Sequence, residues 1–276
     1  VTKLTGRTRL LGVVGDPVAQ VRAPELWSEK FGTLGIDAVC VPFHVRPDDL
    51  AAFLDGASRW RNLDGLLITV PHKGAAMRFA TQLSERARRV GAVNCLKPGP
   101  GGWVADMLDG VGFVTAFENG IGPVEGRRAL VIGCGGAGSA IALALADGGA
   151  AAVDVSDVDD GRASALAERT AAAGVASRPV APLGRGYDLI VNASPAGMRG
   201  TDPVPVDLGG VGADAAVADV ITDPAVTPLI EEATRRGCRV QVGAQMTDAQ
   251  AGHMASFFGY REVAAVPVSS RPNGAP

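Results

Sequence analysis

Ala129-Leu130-Val131-Ile132-Gly133-Cys134-Gly135-Gly136-Ala137-Gly138 is the stretch that decides the fold. An apolar strand runs directly into a Gly-x-Gly-x-x-Gly turn, and the alanine-rich residues 136–147 behind it read as a helix. Each glycine has a task in that setting: Gly133 permits a tight turn, Gly135 lets backbone approach a pyrophosphate, and Gly138 allows close helix–strand packing. Gly136 and Ala137 open the helix, whose unpaired N–H groups and positive dipole end suit phosphate. A ligand-free glycine turn is the alternative, and the ordered strand, loop and helix favour a dinucleotide.

Working outward, the next strand is expected at 152–156, and the residue at its end should choose the cofactor. Asp157 lies 19 positions after Gly138, where a carboxylate accepts hydrogen bonds from the adenosine ribose. Asp159 and Asp160 follow, and the first basic residue is Arg162. This acidic turn repels a 2′-phosphate, so NAD is the preferred cofactor and NADP a possible one. The aspartates also have a second reading, as caps for a helix starting at Gly161, and the two roles are compatible. Further strands are expected at 188–193, 215–221 and 239–242, with helices at 161–173 and 227–236.

The first half carries the same alternation: strands at 10–15, 38–45 and 65–70, and proline-led helices at 24–34 and 47–60. Trp60 falls on the expected face of the latter helix and reads as core. Residues 98–102 form a turn between extended segments, and the pattern restarts after the glycine- and proline-rich stretch 118–126. An amphipathic segment, 248–258, follows the last strand. The chain is therefore of the α/β class.

Composition excludes several functions. The 276 residues are 47% hydrophobic with a net charge of −3, which gives no broad positive field for nucleic acid. Arg86-Ala87-Arg88-Arg89 and Arg235-Arg236 read as solvated helix faces. Arg7 and Arg9 interrupt any signal-peptide pattern, and no apolar run is long enough to span a membrane. The four cysteines lack Cys-x-x-Cys spacing and no two of the three histidines lie at helical ligand spacing, so no metal site is expected and a reducing cytoplasm is. Met246 and Met254 read as packing residues. Neither a Gly-x-Ser-x-Gly elbow nor a Walker lysine is present, which removes hydrolase and kinase readings.

Lys73 sits just past an apolar strand in Gly65-Leu-Leu-Ile-Thr-Val-Pro-His-Lys73; taken alone it could be merely exposed. Further segments change that reading: Gly12-Val-Val-Gly-Asp-Pro-Val18, Gly91-Ala-Val-Asn-Cys95, Leu108-Asp-Gly-Val-Gly-Phe113, Asn192-Ala-Ser-Pro-Ala-Gly-Met198 and Gly243-Ala-Gln-Met-Thr-Asp-Ala-Gln250. In order and spacing these six motifs resemble the shikimate/quinate dehydrogenase family over nearly the whole chain, from about Gly12 to Gly259.

The resemblance implies an N-terminal α/β substrate domain (1–112, completed by the C-terminal helix 247–276), a Rossmann domain (113–246) and an active site in the cleft between them. It implies NAD(P)-linked interconversion of a ring alcohol and its ketone, usually shikimate and 3-dehydroshikimate, on the route to chorismate and the aromatic amino acids. Its substrate is a cyclic hydroxy acid, and the enzyme is a monomer or homodimer. Carried over by position, Lys73 and Asp109 are the catalytic pair, while Thr69, Asn94 and Gln250 contact substrate hydroxyls. Asn192, Pro195, Gly197, Met198 and Gly243 lie near the nicotinamide. Independently of the resemblance, alcohol oxidation needs a base for the hydroxyl proton, and a lysine tuned by a carboxylate supplies one.

Departures from the family pattern are concentrated where substrate should bind. The usual His-Ser-x-Ser-Pro is Gln20-Val-Arg-Ala-Pro24, an asparagine is replaced by Leu67, a tyrosine by Thr222, and Asn-Thr before the aspartate by Met107-Leu108. The reaction type is retained and the substrate altered. Arg22 has two readings, a planar fork for a carboxylate or a solvent-facing residue at a helix entry. A nucleotide-binding sensor that has lost catalysis is the competing function, opposed by the intact Lys73, Asp109 and Gln250. A methylenetetrahydrofolate dehydrogenase-like enzyme is a third reading, opposed by the ordered Asn94, Asp109 and Gln250 segments.

Overall fold

The computed structural model describes residues 4–199 and 201–264, so the end of the expected 247–276 segment lies outside the described residues. Two sheets organise the chain. The first contains β1 (Arg9–Gly15), β2 (Ala38–His44), β3 (Leu63–Ile68), β4 (Ala80–Leu83), β5 (Cys95–Gly99) and β6 (Gly102–Asp106), in the order β2-β1-β3-β5-β6-β4. Its helices are α1 (Ala23–Thr33), α2 (Leu50–Ala57), the single turn α3 (Lys73–Ala76) and α4 (Glu85–Val90). β1, β2 and β3 run parallel, whereas β5 pairs antiparallel with both β3 and β6.

A connecting helix, α5 (Asp109–Gly120), leads to the second unit: β7 (Arg128–Ile132), α6 (Gly136–Asp147), β8 (Ala152–Ser156), α7 (Asp160–Ala172), β9 (Leu189–Asn192), β10 (Ala216–Asp219), α8 (Pro228–Arg235) and β11 (Arg239–Gln241). These strands are all parallel, ordered β11-β10-β9-β7-β8. The order reverses between β7 and β9, and ligands of such sheets bind at the strands' carboxyl ends beside that switch point. The chain is thus a two-domain α/β protein with a Rossmann-type second domain.

The last helices, α9 (Gly243–Phe258) and α10 (Arg261–Ala264), return to the first domain. Ala251, Met254, Ala255, Tyr260 and Val263 join Leu11, Val13, Trp27 and Phe31 in one core. Phe31 and Tyr260 pack with ring centroids 4.8 Å apart, and the Tyr260 hydroxyl donates to Asp64 at 2.7 Å. Burying an aromatic ring of this kind contributes roughly 1.5–3 kcal/mol, so this cluster fixes the returning helix and everything it carries. α9 starts five residues earlier than the expected 248, at Gly243, where a Cβ would collide with the Ile221 carbonyl.

One reading of the core is corrected and one of the surface is extended. α2 ends at Ala57, so Trp60 falls in the following turn, 42% exposed with its ring over Phe43, rather than on a buried helix face. The arginine runs do lie on solvent-facing helix surfaces, with Arg86, Arg88, Arg235 and Arg236 exposed, and they carry ion pairs as well. Arg86 forks onto Asp106 and Arg89 onto Asp147, while Arg235 and Arg236 share Glu232. Partner carboxylates distant in sequence made the first two pairs invisible to a local reading. No helix among the described residues is long and apolar enough to cross a membrane.

Candidate active site

Lys73 begins α3 directly behind β3, and backbone contacts fix the turn that presents it. His72 is buried with Nε2 2.7 Å from the Val45 carbonyl, and Val93 donates its N–H to the Lys73 carbonyl at 2.9 Å. Asp109 is the first residue of α5, just past β6. Lys73 Nζ lies 2.5 Å from Asp109 Oδ2, and Oδ1 of the same carboxylate accepts Asn94 Nδ2 at 2.7 Å and Gln250 Nε2 at 2.6 Å. Residues from four separate segments therefore converge on one carboxylate.

Close helix approach makes this convergence possible. A Cβ on Gly112 would strike the Gln250 side chain, so the glycine lets α9 lie near enough for Gln250 to reach Asp109. Two residues earlier, Gly110 lies against the Ala140 carbonyl of α6 with no room for a side chain. Asn94 Oδ1 also accepts the Leu108 N–H at 2.8 Å, so Asn94 braces Asp109 while lining the cavity, and Gln250 keeps Oε1 for another partner.

Burial by itself would raise the Asp109 carboxyl, but the Lys73 ammonium and the two amide donors outweigh it and hold the group below the ordinary carboxylate range. Asp109 is accordingly ionised at neutral pH and unsuited to carry the transferred proton. Beneath the site, burial and the nearby Asp109 and Asp106 push the Cys95 thiol well above its usual range, which makes it inert.

The pair opens into a cavity of about 170 Å³. Thr69, Lys73, Asn94, Asp109, Gln250 and Arg22 all line it, as do Val21, Ala23, Leu67 and Thr222, four of the positions that depart from the family pattern; Met107 and Leu108 are instead buried away from it. Thr247, Leu26 and Met254 also line it, and the sequence reading missed the first two and took Met254 as packing alone; their only signal was helical spacing on α1 and α9. Arg22 is exposed and makes no salt bridge or side-chain hydrogen bond among the described residues. A larger hollow, about 300 Å³, lies between α4, α5 and α6, but its Arg86 and Arg89 are already committed to aspartates.

The glycine-rich loop meets the same cleft from the second domain. Gly133 has φ +94° and its missing Cβ faces the Ala193–Ser194 backbone, and Gly138 abuts the Gly133 carbonyl, so both are demanded by the fold. Gly135 is different. It has φ −73°, is exposed, and a Cβ there would meet nothing within 4 Å. Open space in front of a helix N-terminus of 12 residues fits a dinucleotide pyrophosphate. Ala137 follows in the same first turn.

Asp157 stands at the end of β8 with Oδ2 accepting the Cys134 N–H at 2.6 Å and Oδ1 3.0 Å from Arg162. The cap of α7 is Asp159, whose carboxylate accepts the Arg162 N–H at 3.0 Å, so the capping role falls on Asp159 and not on Asp157. Asn192 is fully buried and spends its amide on Ala196, Asp219 and Ser194, which shapes the 193–198 loop from beneath. Pro195 and Met198 are exposed on that loop, outside the substrate cavity. Asp219, which clasps Asn192 and Thr227, was not anticipated, because its partners come from β9 and α8.

Residues 13–96 match the shikimate dehydrogenase substrate binding domain. Shikimate dehydrogenase (NADP(+)) of Geobacter metallireducens is 35% identical over 90% of each chain. Among solved structures, a shikimate dehydrogenase in complex with NADP+ superposes with a TM-score of 0.87 at 27% identity, covering 95% of both chains. The ligand-free 5-ketofructose reductase of Gluconobacter sp. strain CHM43 gives a TM-score of 0.85 at 26% identity, covering 93% of this chain and 95% of that one. Sequence likeness along nearly the entire length, on a two-domain frame of the same shape, means that the chain belongs to the shikimate dehydrogenase family of NAD(P)-dependent oxidoreductases.

Proposed function

We propose that the protein oxidises and reduces a ring hydroxyl of a cyclic hydroxy acid, with Lys73 as the proton-transfer group and Asp109 as its ionised partner. A bound nicotinamide cofactor supplies the hydride acceptor or donor. In its neutral amine form Lys73 Nζ takes the hydroxyl proton as the alcohol is oxidised, becoming the ammonium, and the ammonium gives that proton to the oxygen when the ketone is reduced. The observation carrying this reading is the 2.5 Å contact of Lys73 with a carboxylate braced by Asn94 and Gln250. Thr69 and Gln250 Oε1 contact the substrate hydroxyls, and Asn94 acts through Asp109.

Substrate choice follows from the cavity wall. Val21 and Ala23 offer no hydroxyls to a carboxylate, whereas the Arg22 guanidinium between them, without a partner among the described residues, offers a fork. Arg22 takes the carboxylate, and shikimate itself is a poor substrate because Leu67 and Thr222 leave its polar groups under-matched. NAD is preferred over NADP through Asp157, although relatives such as the Geobacter metallireducens protein are named for NADP+. Among the described residues, those up to 112 and from 247 onward form the substrate domain and 113–246 the cofactor domain, with α5 and α9 shared across the junctions. Four free, buried cysteines suit a reducing cytoplasm.

Turnover of shikimate, quinate and 5-ketofructose with NAD(H) or NADP(H), for wild type, Lys73→Ala and Arg22→Ala, tests the proposal. Lys73→Ala should lose at least a hundredfold in kcat/KM, and Arg22→Ala should raise KM for the carboxylates at least tenfold while sparing 5-ketofructose. Turnover that ignores Lys73 would refute the proton-transfer assignment, and no turnover with any compound would instead favour the nucleotide sensor.

A further inference from the structure

The four glycines of the cofactor loop separate by what a side chain would meet. Gly133 and Gly138 would strike backbone, and Gly135 faces open space. Gly136 behaves unlike either: a Cβ there would lie 3.3 Å from Lys73 Cδ, 3.5 Å from Lys73 Cβ and 3.7 Å from Ala92 Cβ. Its backbone is ordinary first-turn helix, since positive φ is found at Gly133 and not here. Nothing in the backbone therefore requires glycine at 136.

We propose that Gly136 is a positioning residue for Lys73: its missing side chain lets the first turn of α6 rest on the lysine stem and keep the ammonium on Asp109. This rests on Lys73 being the proton-transfer group. The same helix supports the other partner, because Ala140, one turn along the same face, presses on Gly110 beside Asp109. One rigid rod thus bears on both members of the pair while its N-terminus faces the cofactor cleft. The loop is consequently part of the proton-transfer geometry as well as the cofactor site.

Gly136→Ala tests this, because alanine is the better helix former and should leave the fold intact. The added methyl pushes the lysine stem by a few tenths of an ångström. A full ångström of misplacement costs about a hundredfold, so kcat should fall roughly fivefold to tenfold. Turnover is followed with whichever of shikimate, quinate and 5-ketofructose the wild type processes fastest. NADH affinity by fluorescence titration should stay within about twofold, Tm should not drop, and the solvent deuterium isotope effect on kcat should rise as proton transfer becomes slower. Gly135→Ala, which cannot reach Lys73, should weaken NADH and leave the isotope effect alone. An unchanged kcat in Gly136→Ala, a tenfold loss of NADH affinity at undiminished kcat, or a lowered Tm would each overturn the proposal. Lys73→Ala separates the two failures: if it matches wild type, the lysine assignment itself has failed.

Discussion

Removing the charge of Asp109 while keeping its shape should expose how strongly Lys73 and Asp109 are coupled. In Asp109→Asn the Lys73 ammonium loses an oxygen at 2.5 Å inside a site where the aspartate is only 4% exposed. Breaking one member of a buried pair costs about 3–5 kcal/mol. The lysine side chain retains 16% exposure and can still reach water, so the lower end, about 3 kcal/mol, is expected. Lys73→Met should cost a similar amount, leaving the carboxylate with only Asn94 and Gln250 as donors. The double variant buries no unpaired charge, and its cost should fall short of the sum of the singles by about 3 kcal/mol. Urea unfolding of all four proteins at pH 7 measures this directly, with an unchanged m-value as the check on comparable unfolded states. A coupling energy below about 0.5 kcal/mol would show the two groups to be independent, and the site described above would then be wrong.

Other expectations follow from the same contacts. Burial raises the carboxyls of Asp106 and Asp109, yet Arg86 with Ser84 and the Met107 N–H, and Lys73 with Gln250 and Asn94, together outweigh it and hold both below the ordinary range. Their folded values lie below the unfolded ones, so the stability they confer is present above about pH 4 and is lost as pH falls through the folded values. Asp106→Asn should remove up to one proton from the acid slope, about 1.4 kcal/mol per pH unit, and an identical slope would contradict the Arg86 pairing. Gly138→Ala drives a methyl into the Gly133 carbonyl and should lower Tm by about 5 °C or more, whereas Gly135→Ala should leave Tm in place and weaken NADH about tenfold; thermal melts with and without NADH read both. Asp157→Ser frees the Cys134 N–H and Arg162, and the NAD-to-NADP ratio of kcat/KM should drop about tenfold. A wild type that already prefers NADP would refute the acidic-turn argument.

The sequence alone determined the alternation of strands and helices in the second domain, because each is a local hydrophobic pattern bounded by glycine, proline or a cap. It also determined the chemistry-bearing residue types, since Lys73, Asp109, Asn94 and Gln250 stand in short recognisable segments. Tertiary structure decided what those residues do to one another. That Asn94 braces both Asp109 and the Leu108 N–H, that Asn192 is clasped by Asp219, and that Asp157 accepts the Cys134 N–H all depend on partners supplied by other segments. The same holds for α5, where Gly110 and Gly112 read as poor helix formers until α6 and α9 are seen to lie against them. Local pattern encodes which surface an element buries; the distance between two elements is set only when both are packed, and the candidate catalytic site is made of such distances.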